Sequence, residues 1–370
     1  MQINLFLLLF VIILGLLTGL NDTSKSRSFY IITCSIVLIF IASMRSPEWM
    51  TYMYHKDTMQ YKYFFESSFD LGWHNLWSQI YMRYFENEGD GDLGFILLNK
   101  LVSFITHDFH IYSVIVDLIF FVPFGLILYR YSSNIFHLIF AFVFYIALVQ
   151  TFLLAGARQI YALGFDMISL LFVIEKKHKL AVLSFILGVS IHFSSLLFIF
   201  PLLMLWNDVS PQILKRLHLL CFLLFPLVLL FPSEMIVVMG NAVGMEKYAD
   251  YGKGNDLGGA VTFVLLVELL SFICLIGIKK KDMVSNIKVR FFYVMSPLLT
   301  LTAPLIRANG AMIRVSLYFH IFLVLLVPYA LDCLLKMKQE RALAYVLSIG
   351  LLSFLTLSGG DLTYYFYWQL

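Results

Sequence analysis

Charge is what this sequence has least of: only 13% of its 370 residues are Asp, Glu, Lys or Arg, 61% are hydrophobic, and the mean hydropathy is +0.86. A soluble domain carries about a quarter charged residues, so a water-soluble protein is excluded from the outset. Cysteine is scarce too. Cys34, Cys221, Cys274 and Cys333 each fall inside an apolar run, which argues against a disulfide framework and for plain packing. No HExxH, CxxC or His-rich tract offers zinc-ligand spacing, and no GxxxxGK[ST] offers a nucleotide phosphate cradle, so a cytosolic nucleotide-driven enzyme is disfavoured. The net charge is only +3 and the basic clusters are scattered, which speaks against a nucleic-acid partner and for anionic lipid headgroups. With no soluble second domain, Gly/Ser-rich linker, clear repeat or low-complexity tract, 1–370 reads as one membrane-embedded domain.

What is present is a succession of apolar runs, near 2–20, 29–44, 110–128, 135–154, 159–174, 217–232, 260–278, 291–306, 315–333 and 342–357. Each approaches the roughly 20 residues a helix needs to cross hydrocarbon, and some fall short. Residues 1–20 have no basic segment ahead of the apolar run and no small-residue cleavage site, so they read as a retained span. The run 180–206 is interrupted by Ser190, His192, Ser194, Ser195 and Pro201.

Charge asymmetry then sets the topology. Segments 21–28, 129–134, 175–179, 207–218, 279–290 and 334–341 hold 16 of the 26 Lys and Arg, and the positive-inside rule makes them cytoplasmic. With 175–179 and 207–218 both inside, the chain must leave and return between them, so 180–206 reads as a short hairpin or re-entrant pair with His192 at its outer tip. The expected fold is an all-α, polytopic transmembrane helical bundle of about twelve spans with both termini outside. Two external loops follow, 45–109 and 233–259. The first carries Trp49, Tyr61, Trp73, Trp77 and Tyr81, many of its aromatics at helical spacing. These suit amphipathic helices lying in the membrane interface, or a platform on which sugar rings stack. The second is Gly-rich, carries Tyr248 and Tyr251, and fits a lid.

The same parity places Arg158, Gln159, His192, Arg307 and Arg314 on the outer side. An arginine at the membrane edge is costly and is by default a functional signal. Its planar guanidinium forks two donors onto phosphate oxygens, and weak screening near hydrocarbon strengthens that attraction, so Arg158 and Arg314 together suit a lipid diphosphate. For either arginine alone, the alternative is a span-end residue whose charge reaches for water. His192 is either a functional imidazole or a hydrogen-bonded packing residue. Asp166 lies eight residues after Arg158, about 80° around the helix, which disfavours a direct pair and leaves Asp166 to line the same cavity. Asp90-Gly91-Asp92 has the look of a metal-binding pair and equally of a solvated turn, and no metal is assigned to it. Gly15 with Gly19, and Ser184 with Gly188, are spaced like small-residue helix contacts.

Several segments, taken in order, resemble a known family. Gly156-Ala157-Arg158-Gln159, the span closing in Glu175-Lys176-Lys177, then Ile191-His192-Phe193-Ser194-Ser195, and Arg314-Val315-Ser316-Leu317-Tyr318-Phe319 are similar to the EpsG family of Wzy-type exopolysaccharide and O-antigen polymerases. Met44-Arg45-Ser46-Pro47-Glu48, Asp57-Thr58-Met59-Gln60-Tyr61 and Gly94-Phe95-Ile96-Leu97-Leu98-Asn99 resemble that family's first external loop. One departure stands out: Lys56-Asp57-Thr58 replaces the family's usual Gly-Thr-Asp-Tyr.

The resemblance implies a glycosyltransferase of the bacterial cytoplasmic (inner) membrane, with its site facing the periplasm or exterior. It would join oligosaccharide repeat units carried as donor and acceptor on undecaprenyl diphosphate, beside a flippase and a chain-length regulator as partners. The diphosphate is already a good leaving group, so no cofactor is expected. In this reading Arg158 and Arg314, with Arg45 or Arg307, hold the departing diphosphate, and Gln159 orients it or a sugar hydroxyl. Tyr61 and Tyr318 join the substrate-binding set. His192 is the general base, with Asp57 as the fallback. A flippase or transporter of the same lipid-linked sugar, a glycan ligase and an acyltransferase remain as rivals sharing this logic.

Overall fold

A computed structural model of the chain describes residues 3–54, 57–82, 92–242, 261–358 and 364–369. Asp90, Gly91, Tyr248 and Tyr251 lie outside the described residues. Helices begin where short polar residues interrupt the apolar runs. After α1 (Ile3–Gly19), the Thr23 hydroxyl accepts the Ser26 N–H at 3.2 Å and Ser26 Oγ accepts the Thr23 N–H at 2.8 Å. This reciprocal cap starts α2 (Ser24–Ser43). Three helices, α3 (Pro47–Tyr54), α4 (Thr58–Ser67) and α5 (Trp73–Tyr81), occupy the first loop, followed by the apolar α6 (Leu93–Ser103). Tyr61 and Phe65 of α4 are buried while Tyr63 is 67% exposed, the two-faced pattern expected of an amphipathic helix. The Asp108 carboxylate accepts N–H groups from His110 and Ile111 and so starts α7 (Phe109–Tyr131).

The rest of the first half comprises α8 (Ile135–Leu148), α9 (Gln150–Ala155), α10 (Ala157–Ile174), α11 (His178–Ile191), a 3-10 turn (Phe193–Phe198) and α12 (Ile199–Trp206). The second half continues with α13 (Pro211–Leu230), α14 (Pro232–Ala242), α15 (Val261–Gly277), α16 (Lys280–Ser285), α17 (Ile287–Tyr293) and α18 (Met295–Thr302). Two 3-10 turns (Ala303–Arg307 and Gly310–Met312), α19 (Ile313–His320), α20 (Leu323–Leu334) and α21 (Lys338–Ser358) complete it. The described residues contain no strand, only an isolated bridge between Arg45 and Phe366. The chain divides into two units, Met1–Ile199 with Ile349–Leu370, and Phe200–Ser348.

Among the described residues, 6 helical stretches are long and apolar enough to cross a membrane, or 7 if α19 and α20, bent by 57°, count as one span. Two apolar runs that read as single spans are broken, 135–154 at Val149 and 315–333 at Ile321 and Phe322, and 180–206, read as a hairpin or re-entrant pair, is interrupted at His192. Rows of Leu and Ile on α1, α2, α13 and α21 face outward, Leu223 and Val346 being 69% and 65% exposed. Such faces are stable against lipid chains and would be a liability in water.

The basic segments of each unit gather at one end. In the first unit Arg27 donates to the Ser132 carbonyl at 3.2 Å, and Arg130 pairs with Glu175 at 2.8 Å. Hydrogen bonds from Lys177 and Arg130 hold the Glu175 carboxyl below its ordinary value. In the second unit Arg290 pairs with Asp208. Arg158 lies at the far end of α10 from this cluster, about 25 Å away at 1.5 Å per residue. The small-residue spacing also has its counterpart: a Cβ on Gly19 would touch Ile135 at 3.0 Å, where α1 meets α8.

Candidate active site

Three helix ends of the first unit converge on one polar cluster. Gly156, which has no side chain to cap a helix, precedes α10 and leaves the helix's positive end next to Arg158 in its first turn. His192 ends α11 in an extended conformation (φ −153°, ψ 115°), so its imidazole leaves the helix axis instead of continuing along it. Asp92 precedes α6. Its Oδ2 lies 3.0 Å from His192 Nδ1 and 3.6 Å from an Arg158 guanidinium nitrogen. The three side chains are 19–24% exposed, so water and a solute can reach them. Arg158 also stands over the Phe95 ring, 5.6 Å from its centroid, and Tyr61 meets the same ring edge-on at 5.9 Å.

A close helix approach sets the cluster's spacing. A Cβ on Gly94 would fall 2.6 Å from the Ser190 carbonyl carbon, so α6 lies against α11 at a separation only glycine permits. Asp92 and His192 are thereby brought to hydrogen-bonding distance from positions a hundred residues apart in the chain.

A second, fully buried clasp ties α10 to the 3-10 turn that follows His192. Ser195 Oγ lies 2.8 Å from each oxygen of Asp166, and Asp166 is 0% exposed. Asp166 shares α10 with Arg158. Ser195 belongs to the turn opened by His192, its N–H bonding the His192 carbonyl at 2.9 Å. The fit depends on Gly188, where a Cβ would meet Asp166 Oδ1 and Ser195 Oγ at 3.0 Å. Asp166 therefore pairs with Ser195 and not with Arg158, in keeping with the 80° offset.

The remaining residues singled out from the sequence are distributed differently. Gln159 follows Arg158 but is buried (1% exposed). Asp57 sits at the start of α4, half-buried, next to Thr58, whose hydroxyl bonds the Leu154 carbonyl at 3.2 Å just before Gly156. Arg45 is 4% exposed, donates to the Ala42 carbonyl, and lies within electrostatic reach of Asp117, which is held by Ser43 at 3.1 Å and Tyr161 at 3.3 Å. Its buried Nε has no hydrogen-bond partner. Arg307, Arg314 and Tyr318 belong to the second unit. Arg307 donates to the Leu229 carbonyl at 3.0 Å, Arg314 is half-buried, and Tyr318 is fully buried.

In the sequence Asp92 stands out only as half of a metal-like Asp-Gly-Asp pair or a solvated turn, and not as a partner of His192 and Arg158, because Glu-Gly-Asp-Gly-Asp has the composition of a solvated turn. The signal that could have found it is its place two residues ahead of Gly94-Phe95. Among the described residues no cluster of His, Cys, Asp and Glu could hold a metal ion. The arrangement offers a carboxylate-oriented imidazole beside a guanidinium and a helix N-terminus: a proton acceptor next to an anion site.

No curated protein and no solved structure matches the chain. The sequence pattern of the EpsG family matches residues 50–367, from α3 through the C-terminal segment. The chain therefore belongs to the EpsG family, the family of Wzy-type membrane polysaccharide polymerases.

Proposed function

We propose that this protein joins oligosaccharide repeat units carried on undecaprenyl diphosphate into O-antigen or exopolysaccharide, at the outer face of the bacterial inner membrane. The observation that carries the proposal is the sharing of Asp92 by His192 and Arg158 at the end of α10 away from the basic segments. By the positive-inside rule that end faces outward, as twelve or so crossings with both termini outside would require.

In the proposed step, the acceptor hydroxyl oxygen forms a bond to the donor's anomeric carbon. The bond from that carbon to the diphosphate oxygen breaks, and its electron pair leaves with the diphosphate. His192 Nε2 takes the hydroxyl proton while Asp92 holds Nδ1 and supports the imidazolium that forms, the logic by which carboxylates orient catalytic histidines elsewhere. Arg158 contacts Asp92 through one nitrogen. Its remaining donors and the first turn of α10 receive the negative charge that develops on the leaving diphosphate. Arg314 and Arg307 are proposed as phosphate-binding groups of the second unit. Because the diphosphate leaves readily, the step demands no metal or cofactor.

Purified full-length protein in nanodiscs, given synthetic polyprenyl-diphosphate oligosaccharide with and without EDTA, tests this reading. A ladder of products insensitive to EDTA is expected. Transfer of a single unit to a different acceptor would make the protein a ligase, and movement across the membrane without product would make it a transporter.

A further inference from the structure

The first unit carries an apolar and aromatic surface that the polar cluster does not use. α6 begins next to Asp92, beside Arg158, and ends shortly before α7. From there α7 runs about 32 Å to Arg130 at the basic end of the unit. Both ends of α6 therefore lie away from the basic segments, and the helix, about 16 Å long, runs along the membrane edge instead of through it. One of its faces is packed: Phe95 and Val102 are buried, and Asn99 accepts the Tyr112 hydroxyl at 2.6 Å. The opposite face is open. It presents Leu97 and Leu101 and, just past the helix end, Phe104 and Ile105, which are 63% and 71% exposed.

Aromatic groups from two distant parts of the chain border this open face. Trp73 stacks on Phe104 with ring centroids 6.1 Å apart, and Trp77 and Tyr81 follow it at four-residue intervals on α5, forming one exposed row. At the start of α7 the His110 ring stacks on Tyr367 at 3.9 Å. The C-terminal segment that carries Tyr367 is pinned by two backbone bonds, from the Ser46 N–H to the Tyr365 carbonyl at 2.9 Å and from the Tyr367 N–H to the Met44 carbonyl at 3.1 Å. Its Trp368 is 56% exposed and lies 6.4 Å from Phe40, the last of an outward row formed with Ile32 and Ile36 on α2. A second outward row, Leu183 and Leu187 of α11, leads to Ser190, where Gly94 of α6 makes its close approach.

We propose that α5, α6 and the C-terminal aromatic segment form a collar embedded at headgroup depth in the membrane leaflet opposite the basic segments. So many exposed leucine, isoleucine and tryptophan side chains together would be a liability in water. Lipid is favoured over sugar as the occupant, because the rings are joined by Leu97, Leu101 and Ile105, which hold acyl chains and offer a glycan neither a flat ring nor a hydrogen bond. Trp and Tyr settle where hydrocarbon gives way to headgroups, with the ring in the first and the N–H or O–H in the second. An interfacial helix buries its apolar face about 5–10 Å into that boundary. Because Asp92 directly precedes α6, the collar fixes the cluster of Asp92, His192 and Arg158 at the level of lipid phosphates. The collar's depth does not depend on the reaction that the cluster performs.

The test reads depth in the full chain reconstituted into phosphatidylcholine vesicles, without any glycosyl-transfer readout, so its outcome is independent of the polymerase reading. Single-tryptophan chains keep Trp73, Trp77 or Trp368, the other tryptophans being changed to Phe, and Leu101→Trp in the tryptophan-free chain reports α6. Lipids brominated near the carbonyl end of the acyl chain should quench each of these on the order of twofold more strongly than lipids brominated near its middle. Where a multiply substituted chain does not fold, Trp73→Phe, Trp77→Phe and Trp368→Phe, made singly in the parent, should each remove part of the shallow-quenched emission. Tryptophans that neither bromine position quenches overturn the proposal, as does stronger quenching from mid-chain, which would make α6 part of a span. Emission from Trp73 and Trp77 that a soluble oligosaccharide shifts and brominated lipid leaves unchanged would also overturn it, making the row a sugar platform.

Discussion

His192 and His218 both anchor polar clusters, yet their partners are opposite in kind. His192 meets a carboxylate and, through it, a guanidinium, at a helix end where the side chains keep about a fifth of their surface exposed. His218 meets a phenol and a hydroxyl inside its unit at zero exposure. Solvent access accounts for the difference. Where water reaches, opposite charges can be held together without full desolvation. Where it does not, neutral groups that donate and accept satisfy an imidazole at far lower cost. The first arrangement suits an incoming charged substrate, and the second suits a buried span.

The sharpest way to break this contrast is to remove charge at the exposed cluster. His192→Ala should lower polymer formation on the order of 10²–10⁴-fold, the usual contribution of a positioned acid or base, with the protein still monodisperse by size-exclusion chromatography. Arg158→Lys keeps the charge but loses the planar fork, and a loss on the order of 10²–10³-fold in a single-turnover assay is expected. Full-length chains from Arg158→Lys would remove Arg158 from the diphosphate clamp.

Buried contacts should respond in stability first. Ser195→Ala leaves the Asp166 carboxyl without its hydroxyl and should cost about 1–3 kcal/mol in denaturant unfolding, with a secondary fall in activity as the His192 turn loosens. Unchanged stability would mean that the clasp does not hold the turn. Tyr293→Phe takes the hydroxyl from His218 Nδ1 and should cost about 1–2 kcal/mol by the same measurement.

The smallest effect belongs to the exposed basic end. The Glu175 carboxyl is depressed by hydrogen bonds from Lys177 and Arg130, so its stabilisation is present above the unfolded-state value and is lost as pH falls through the folded one. Solvent screening keeps the contribution to about 0.5 kcal/mol or less. Glu175→Gln should therefore lower Tm slightly at neutral pH and match the parent protein once the parent's own carboxyl is protonated. A large difference at neutral pH would show the pair to be structural.

The basic turns, the apolar runs and the break at His192 were legible because each rests on local composition: charge stays out of lipid, and His-Phe-Ser-Ser interrupts a helical run. The bend between α19 and α20 was not, since neither Gly nor Pro marks residues 313–327. Arg158 and His192 could be picked out one by one, as isolated polar residues among apolar neighbours. Asp92 could not, because in sequence it is one acid in an acidic, Gly-rich turn.

The sequence by itself determined that this chain is helical and membrane-embedded, and that arginines and a histidine interrupt its spans, because these follow from the cost of taking polar groups into hydrocarbon. Only the tertiary structure decided which polar groups meet. Asp92 joins His192 and Arg158 because Gly94 lets α6 lie against α11, and Asp166 turns to Ser195 because Gly188 leaves room for the clasp. Partners a hundred positions apart are selected by packing distances, and no local pattern in the chain encodes those.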